Sequence, residues 1–385
     1  MKTILLSVPS GSHARVLLKP LRPLFQKAIQ EQKIKLVVVS PMRSYPELLS
    51  EFKGSGFVFV SWQPKIFDHF NPDLVVTTTT GLDQFDILIL RQAKKRKIPT
   101  LTYIESWDNI YKMERRKDEM IKVDTLLVWN QINKKHAKKA FGYRDDDIHC
   151  VGSPRLDYFW KKDRIPSREE LCRYLSVDPQ KKLIHIATVE LYDISYVVKI
   201  LSQARDKGKI TKPIEIYCSV HPGGDIEKHK WYAKEYGAKL RYSFGRKDRS
   251  PHPLFRYNPS LEDMCMLTSL WIHSDLMINF SSTAAIESML GDTPTINVMF
   301  GKPFDFFTWR KSAVVKDFKE HYKEIINEKG TTVVKNKKQL LSAVNQYLIR
   351  PELNHKARIK TCKKMLTYLD GKARERVFQY IIKAL

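Results

Sequence analysis

Apolar residues fall along this chain in short blocks that lack polar alternation. "KTILLSV" occupies residues 2–8, and "KLVVVS", "FVFVSW", "DLVVTTTT", "TLTYIES" and "TLLVWN" follow by residue 130. Runs of Val, Ile, Leu and Thr of this kind suit strands covered on both faces, as in a parallel sheet. Between most of them lie amphipathic stretches such as residues 16–32 and 86–97, which read as helices. After a polar interval near residues 161–167 the alternation starts again, with strands expected in "KLIHIATV", "IEIYCSV", "LMINF" and "PTINVMF". Beyond residue 338 the pattern is helical to the end.

The pattern therefore predicts an α/β protein of two Rossmann-like, doubly wound domains facing across a cleft, with a helical C-terminus. We place the N-terminal domain at 1–163 and the second at 164–350. Helices in 351–385 are expected to pack back toward the first domain. A chain of 385 residues is long enough to require two cores.

Composition narrows the class. The chain is 43% hydrophobic and 28% charged, as in an ordinary globular protein. Its five cysteines form no CxxC pair, which argues against a disulfide framework or a structural zinc site. The apolar run at residues 4–8 is cut by Pro9, too short for a signal core, and no run approaches the length of a membrane span. A cytoplasmic protein is expected. The net charge of +25 is divided over both halves. It suits phosphate-bearing substrates or an anionic membrane surface, which would make the protein peripheral at the inner face of the plasma membrane. No nucleic-acid module is present, so no specific nucleic-acid partner is expected.

Three segments carry candidate chemistry. In residues 274–298 a buried strand runs into Ser281, Ser282 and Thr283, and a short helix follows. Hydroxyls and exposed N–H groups at a helix start form an anion site, and Glu287 one turn later is placed to accept from ribose hydroxyls. In "CSVHPGGD" a strand ends at His221, Pro222 and Gly223, where an imidazole donor and a close-lying backbone suit a phosphate. The basic loop after residue 244 offers Arg246 or Lys247 to the same group. In "SVPSGSHARVLL" the loop after the first strand presents His13, a candidate general base. Its orienting carboxylate is expected to be Asp108 in "ESWDN", with Glu105 and Asp83 as alternatives. The acidic run at residues 145–147 reads as a solvated turn, not a metal motif. Phosphate-loop, GxGxxG, HExxH and GxSxG patterns are all missing.

Taken together, "HPGGD" and "INFSSTAAIESMLGDTP" resemble the nucleotide-binding half of GT-B glycosyltransferases. The HP-then-SS order is especially similar to bacterial sialyltransferases, Kdo transferases and CDP-glycerol glycerophosphotransferases. "VGSPRLDYF" and the C-terminal "DGKARERV" look like parts of enzymes that build bacterial surface polysaccharides. The resemblance implies that His221 and Ser281, Ser282 and Thr283 bind the donor phosphate and that Glu287 holds the ribose. It implies an acceptor, a glycan or a lipid-linked one, at the N-terminal loops. The base stays open between His13 and a carboxylate such as Asp108. The donor would be UDP-, CMP- or CDP-linked, and no metal or other cofactor is expected. The function so implied is a glycosyltransferase, metal-independent and inverting. The alternatives are a polyol-phosphate transferase of the CDP-glycerol type, a non-hydrolysing nucleotide-sugar epimerase, and a basic nucleic-acid-binding or scaffold protein.

Overall fold

The computed structural model describes residues 1–189, 192–245 and 257–385. It contains two compact units, one of Met1–Trp160 with Lys364–Leu385 and the other of Lys161–Lys363.

The first unit is built on seven parallel strands: β1 (Lys2–Ser7), β2 (Ile34–Ser40), β3 (Val58–Ser61), β4 (Leu74–Thr77), β5 (Thr100–Tyr103), β6 (Thr125–Val128) and β7 (Ile148–Cys150). They lie in the order β3-β2-β1-β4-β5-β6-β7. Ile4, Leu5 and Leu6 of β1 are completely buried, as are Val37 to Val39 of β2, which explains runs without alternation. Winding proceeds outward from β1 on one side and from β4 on the other. The loops after these two strands therefore separate and leave a crevice at the carboxyl edge of the sheet.

The second unit repeats the plan with β8 (Lys182–Ala187), β9 (Ile214–Val220), β10 (Lys239–Tyr242), β11 (Leu276–Asn279), β12 (Thr295–Val298) and β13 (Thr332–Val334). Their order is β10-β9-β8-β11-β12-β13, and every pairing is parallel. Here the winding reverses between β8 and β11. Strands β7, β10 and β13, which the apolar runs did not reveal, are all edge strands. In β10 no residue is buried, because an edge strand needs no second apolar neighbour.

The C-terminal segment is helical. Arg358, buried in the helix His355–Leu366, bonds Asp292 Oδ1 and the carbonyls of Leu353 and Pro351. The helix Ala373–Lys383 belongs to the first unit, with Phe378 edge-on to Phe25 at 5.5 Å. Asp157 caps it by accepting from the N–H groups of Ala373 and Arg374, at 3.1 and 2.9 Å. Among the described residues no helix is long and apolar enough to cross a membrane.

Candidate functional site

In the first unit, β1 delivers the chain to Ser10, which is extended (φ −161°) and precedes the helix Gly11–Val16. Two residues into that helix stands His13. Its Nδ1 is 2.8 Å from Ser10 Oγ, and its Nε2 is 3.3 Å from Glu105 Oε2. Glu105 arrives from the loop after β5, across β4 from β1. Both side chains keep an accessible edge, 13% for His13 and 25% for Glu105, while Glu105 Oε2 itself is buried and forms no hydrogen bond. An imidazole with a carboxylate at one nitrogen and a hydroxyl at the other can take and return a proton.

The carboxylate that meets His13 is therefore Glu105, in place of the expected Asp108. Asp108 accepts from Ser106 Oγ and pairs with Lys112 Nζ at 2.7 Å. Asp83 has a different task. It is the N-cap of the helix Gln84–Lys95 and accepts from the N–H of Phe85 at 2.8 Å.

Sequence reasoning missed Asp86 altogether. This residue lies on the inner face of the same helix and is completely buried. It accepts from Ser7 Oγ at 2.6 Å, from Thr79 N at 2.9 Å and Thr79 Oγ1 at 3.1 Å, and from Thr78 N at 3.3 Å. It thus ties the end of β1 to the loop after β4. Burial pushes its carboxyl up to about 6, against the opposing pulls of His13 and Ser7. An ionisable residue inside the apolar stripe "FDILIL" was the available signal.

In the second unit, β9 ends at Val220 and His221 follows. The backbone N–H of His221 donates to Thr188 Oγ1 at 3.0 Å, and Gly223 N donates to His221 Nδ1 at 3.1 Å. Gly224 N closes the turn on His221 O at 2.8 Å. Because Nδ1 accepts, the neutral ring carries its proton on Nε2, a donor suited to phosphate oxygen. Neither Gly223 nor Gly224 has positive φ, so the two glycines are not there for a left-handed backbone.

The turn after β11 rests on a buried polar network. Asn279 Nδ2 donates to Tyr322 Oη at 2.7 Å, to Asn297 Oδ1 at 3.2 Å and to Ser282 O at 3.2 Å. Tyr322 Oη donates to Asn297 Oδ1 at 2.9 Å, and Asn297 Nδ2 to Thr331 Oγ1 at 2.7 Å. Ser281 Oγ reaches Asp317 Oδ2 at 3.2 Å.

The open helix start expected here is largely closed. Ala284 N donates to Ser282 Oγ, Ala285 N to Ser282 O, and Ile286 N to Thr283 O. The first three N–H groups of the helix Ala284–Leu290 are thus engaged within the turn. What the turn can offer an anion is the backbone of Ser282 and Thr283 and their hydroxyls. Glu287 is only 7% exposed. Gly291 follows the helix because a Cβ there would lie 2.6 Å from Trp271 O.

Arg246 and Lys247 lie outside the described residues. Asp145 pairs with Lys134 and Lys138, and Asp147 with Arg144. Among the described residues no group of three or more His, Cys, Asp or Glu could hold a metal ion.

No family model and no curated protein sequence matches the chain. Solved structures do. The chain is similar to a UDP-GlcNAc 2-epimerase from Neisseria meningitidis bound to UDP-GlcNAc, with 13% identity over 100% of both chains and a TM-score of 0.65. It is similar to the wall teichoic acid polymerase TagF, with 12% identity over 99% of this chain and 89% of that one, TM-score 0.61. A glycosyltransferase from Rickettsia africae ESF-5 matches 99% of this chain with 98% of its own, at 15% identity and TM-score 0.55. At such identities the likeness establishes the fold, which is GT-B: two Rossmann-like domains with a helical C-terminus.

Proposed function

We propose that the chain is a glycosyltransferase that moves a sugar from a nucleotide-linked donor to a glycan or lipid-linked acceptor in surface polysaccharide synthesis. The observation that carries this reading is the His13–Glu105 pair at the carboxyl edge of the first sheet. A transferase would use this pair on its acceptor hydroxyl; an epimerase would also need a base, for a C–H proton, and acceptor dependence is what separates the two. The nucleotide-sugar in the Neisseria meningitidis epimerase, a protein of the same fold, supports a nucleotide-sugar as the donor here.

In this reading each unit supplies one half of the chemistry. The His13–Glu105 pair takes the proton of the acceptor hydroxyl as its oxygen attacks the anomeric carbon. The bond from that carbon to the donor phosphate breaks, and its electron pair leaves with the nucleotide. His221 Nε2–H and the Ser281, Ser282 and Thr283 turn oppose the charge that develops on phosphate. Direct attack inverts the anomeric centre, and this step requires no metal. Glu287 and Arg246 remain candidates for the ribose and the phosphate, respectively. We place the enzyme in the cytoplasm.

A second reading, polyol-phosphate transfer, is favoured by the likeness to TagF. It uses the same base and turn but directs the attack at phosphorus. Thermal unfolding with UDP, CMP, CDP and GDP tests the shared premise. A bound nucleotide at about 100 times its Kd stabilises the fold by about 2.7 kcal/mol. Loss of the His221 donor should weaken affinity by roughly 10- to 100-fold in His221→Ala. No stabilisation by any nucleotide would overturn both readings. With a nucleotide identified, turnover of its sugar conjugate without acceptor would instead point to the epimerase.

A further inference from the structure

The segment after β12 carries a feature that sugar transfer does not use. Phe304 is fully exposed, Phe307 is 78% exposed and Phe306 is 59% exposed. Three phenyl rings within four positions, all turned to water, mark an interaction surface. This segment is braced. Tyr192 Oη donates to Asp305 Oδ2 at 2.8 Å and accepts from Lys302 N at 3.0 Å, and the Trp309 ring stands edge-on to it at 5.0 Å. Gly301 fits so tightly below them that a Cβ would lie 2.7 Å from Trp309 Cβ and 2.9 Å from Tyr192 Oη. Phe304 itself sits at φ +63°, a backbone conformation that a bulky side chain rarely adopts.

Cations flank the rings along the chain. Lys302, Arg310 and Lys311 adjoin them in sequence; the Arg310 guanidinium is 5.2 Å from the Phe306 centroid, and Lys302 pairs with Asp193 at 3.4 Å. Gly301, Lys302 and Pro303 also line a pocket of about 520 Å³ whose rim includes Lys199, Lys335 and Lys337. Among the described residues these last three lysines have no carboxylate partner. Apolar prongs beside a pocket whose Lys199, Lys335 and Lys337 have no carboxylate partner among the described residues, on a chain of net charge +25, match one environment in particular. That environment is the boundary between anionic headgroups and acyl chains.

We propose that this face docks on an anionic lipid bilayer, with Phe304 and Phe307 entering the interface and the pocket lysines receiving lipid phosphates. The proposal is independent of the reaction class, since vesicle binding needs neither nucleotide nor acceptor. The test is co-sedimentation of the full chain with vesicles of phosphatidylglycerol and phosphatidylcholine in equal parts, and with phosphatidylcholine alone. Binding is expected to the anionic vesicles only, and to fall as salt is raised. Phe304→Gly with Phe307→Ser should weaken it at least about tenfold, since two apolar groups no longer leave water. Lys335→Glu with Lys337→Glu should weaken it separately. Unfolding temperature and circular dichroism of each variant establish that it is folded. The proposal falls if the parent ignores anionic vesicles, or if the folded phenylalanine variant binds them as the parent does. It also falls if the phenylalanine changes abolish self-association in sedimentation and leave vesicle binding intact.

Discussion

Asp86→Asn is the most informative single change in the first unit, because bonding and charge act on it in opposite directions. The parent carboxylate gathers donors from Ser7, Thr78 and Thr79 while completely buried. An asparagine of the same shape can keep its oxygen toward the threonines and turn its amide toward Ser7 Oγ, which can accept. The bonding loss is then about 1 kcal/mol. Charge contributes more. Burial raises the folded-state carboxyl to about 6, above its ordinary value of 3.8. Between those two values the folded chain holds a proton that the unfolded chain has released. Stability from Asp86 is therefore fully present below the unfolded value and is lost as the pH rises through 6. At about 1.4 kcal/mol per unit, this loss totals about 3 kcal/mol, of which about 2 kcal/mol falls between about pH 4.5 and pH 7.

The asparagine side chain does not titrate, so the parent's advantage over Asp86→Asn should shrink by that amount across the interval and can reverse at pH 7. For a unit of this size the change corresponds to roughly 4–8 °C in the difference of unfolding temperatures. Calorimetry of both proteins at matched pH values reads it. Asp157, also raised to about 6 by burial, is common to both proteins and cancels. An advantage that widens with rising pH would refute the reasoning, since the surrounding donors would then outweigh burial and favour the charged form.

Three further outcomes are expected. Glu105→Gln should lower kcat by roughly 10²- to 10⁴-fold and leave nucleotide Kd unchanged, measured by initial rates and titration. Tyr322→Phe removes the hydroxyl shared by Asn279 and Asn297 and should cost about 1–3 kcal/mol in denaturant unfolding. Nucleotide affinity should fall with it, because Asn279 holds Ser282 O. Gly291→Ala forces a Cβ to within 2.6 Å of Trp271 O and should destabilise the second unit by about 1–3 kcal/mol, although its φ of −75° suits alanine; denaturant unfolding reads the loss.

The sheets were legible because their central strands are buried on both faces, and a strand so placed writes an unbroken apolar run. β1, β2, β8 and β9 announce themselves in that way. β10, "KLRY", does not, since one side of an edge strand meets water and the run is broken by Lys239 and Arg241. β13 and β7 are three residues each, too short for any period to show.

The site was legible in kind and not in detail, for a reason visible at Glu105. The rule that ligands gather at the carboxyl ends of strands nominates every polar residue in the loops after β1, β4 and β5. Asp83, Glu105 and Asp108 all qualify. What separates them is the direction in which each backbone turns on leaving its strand, which no spacing encodes. Asp83 is spent on a helix cap, and Asp108 on Ser106 and Lys112. Glu105, two residues beyond β5, reaches across β4 to His13. Asp86 shows the complementary lesson. A carboxylate embedded in "FDILIL" cannot face water without turning Ile87, Ile89 and Leu90 out of the core. It must therefore be buried and satisfied, and the nearest donors are the hydroxyls of Ser7 and the threonine run that opens the loop after β4. The burial is legible in the sequence; the donors, which tie the end of β1 to the loop after β4, come from the fold.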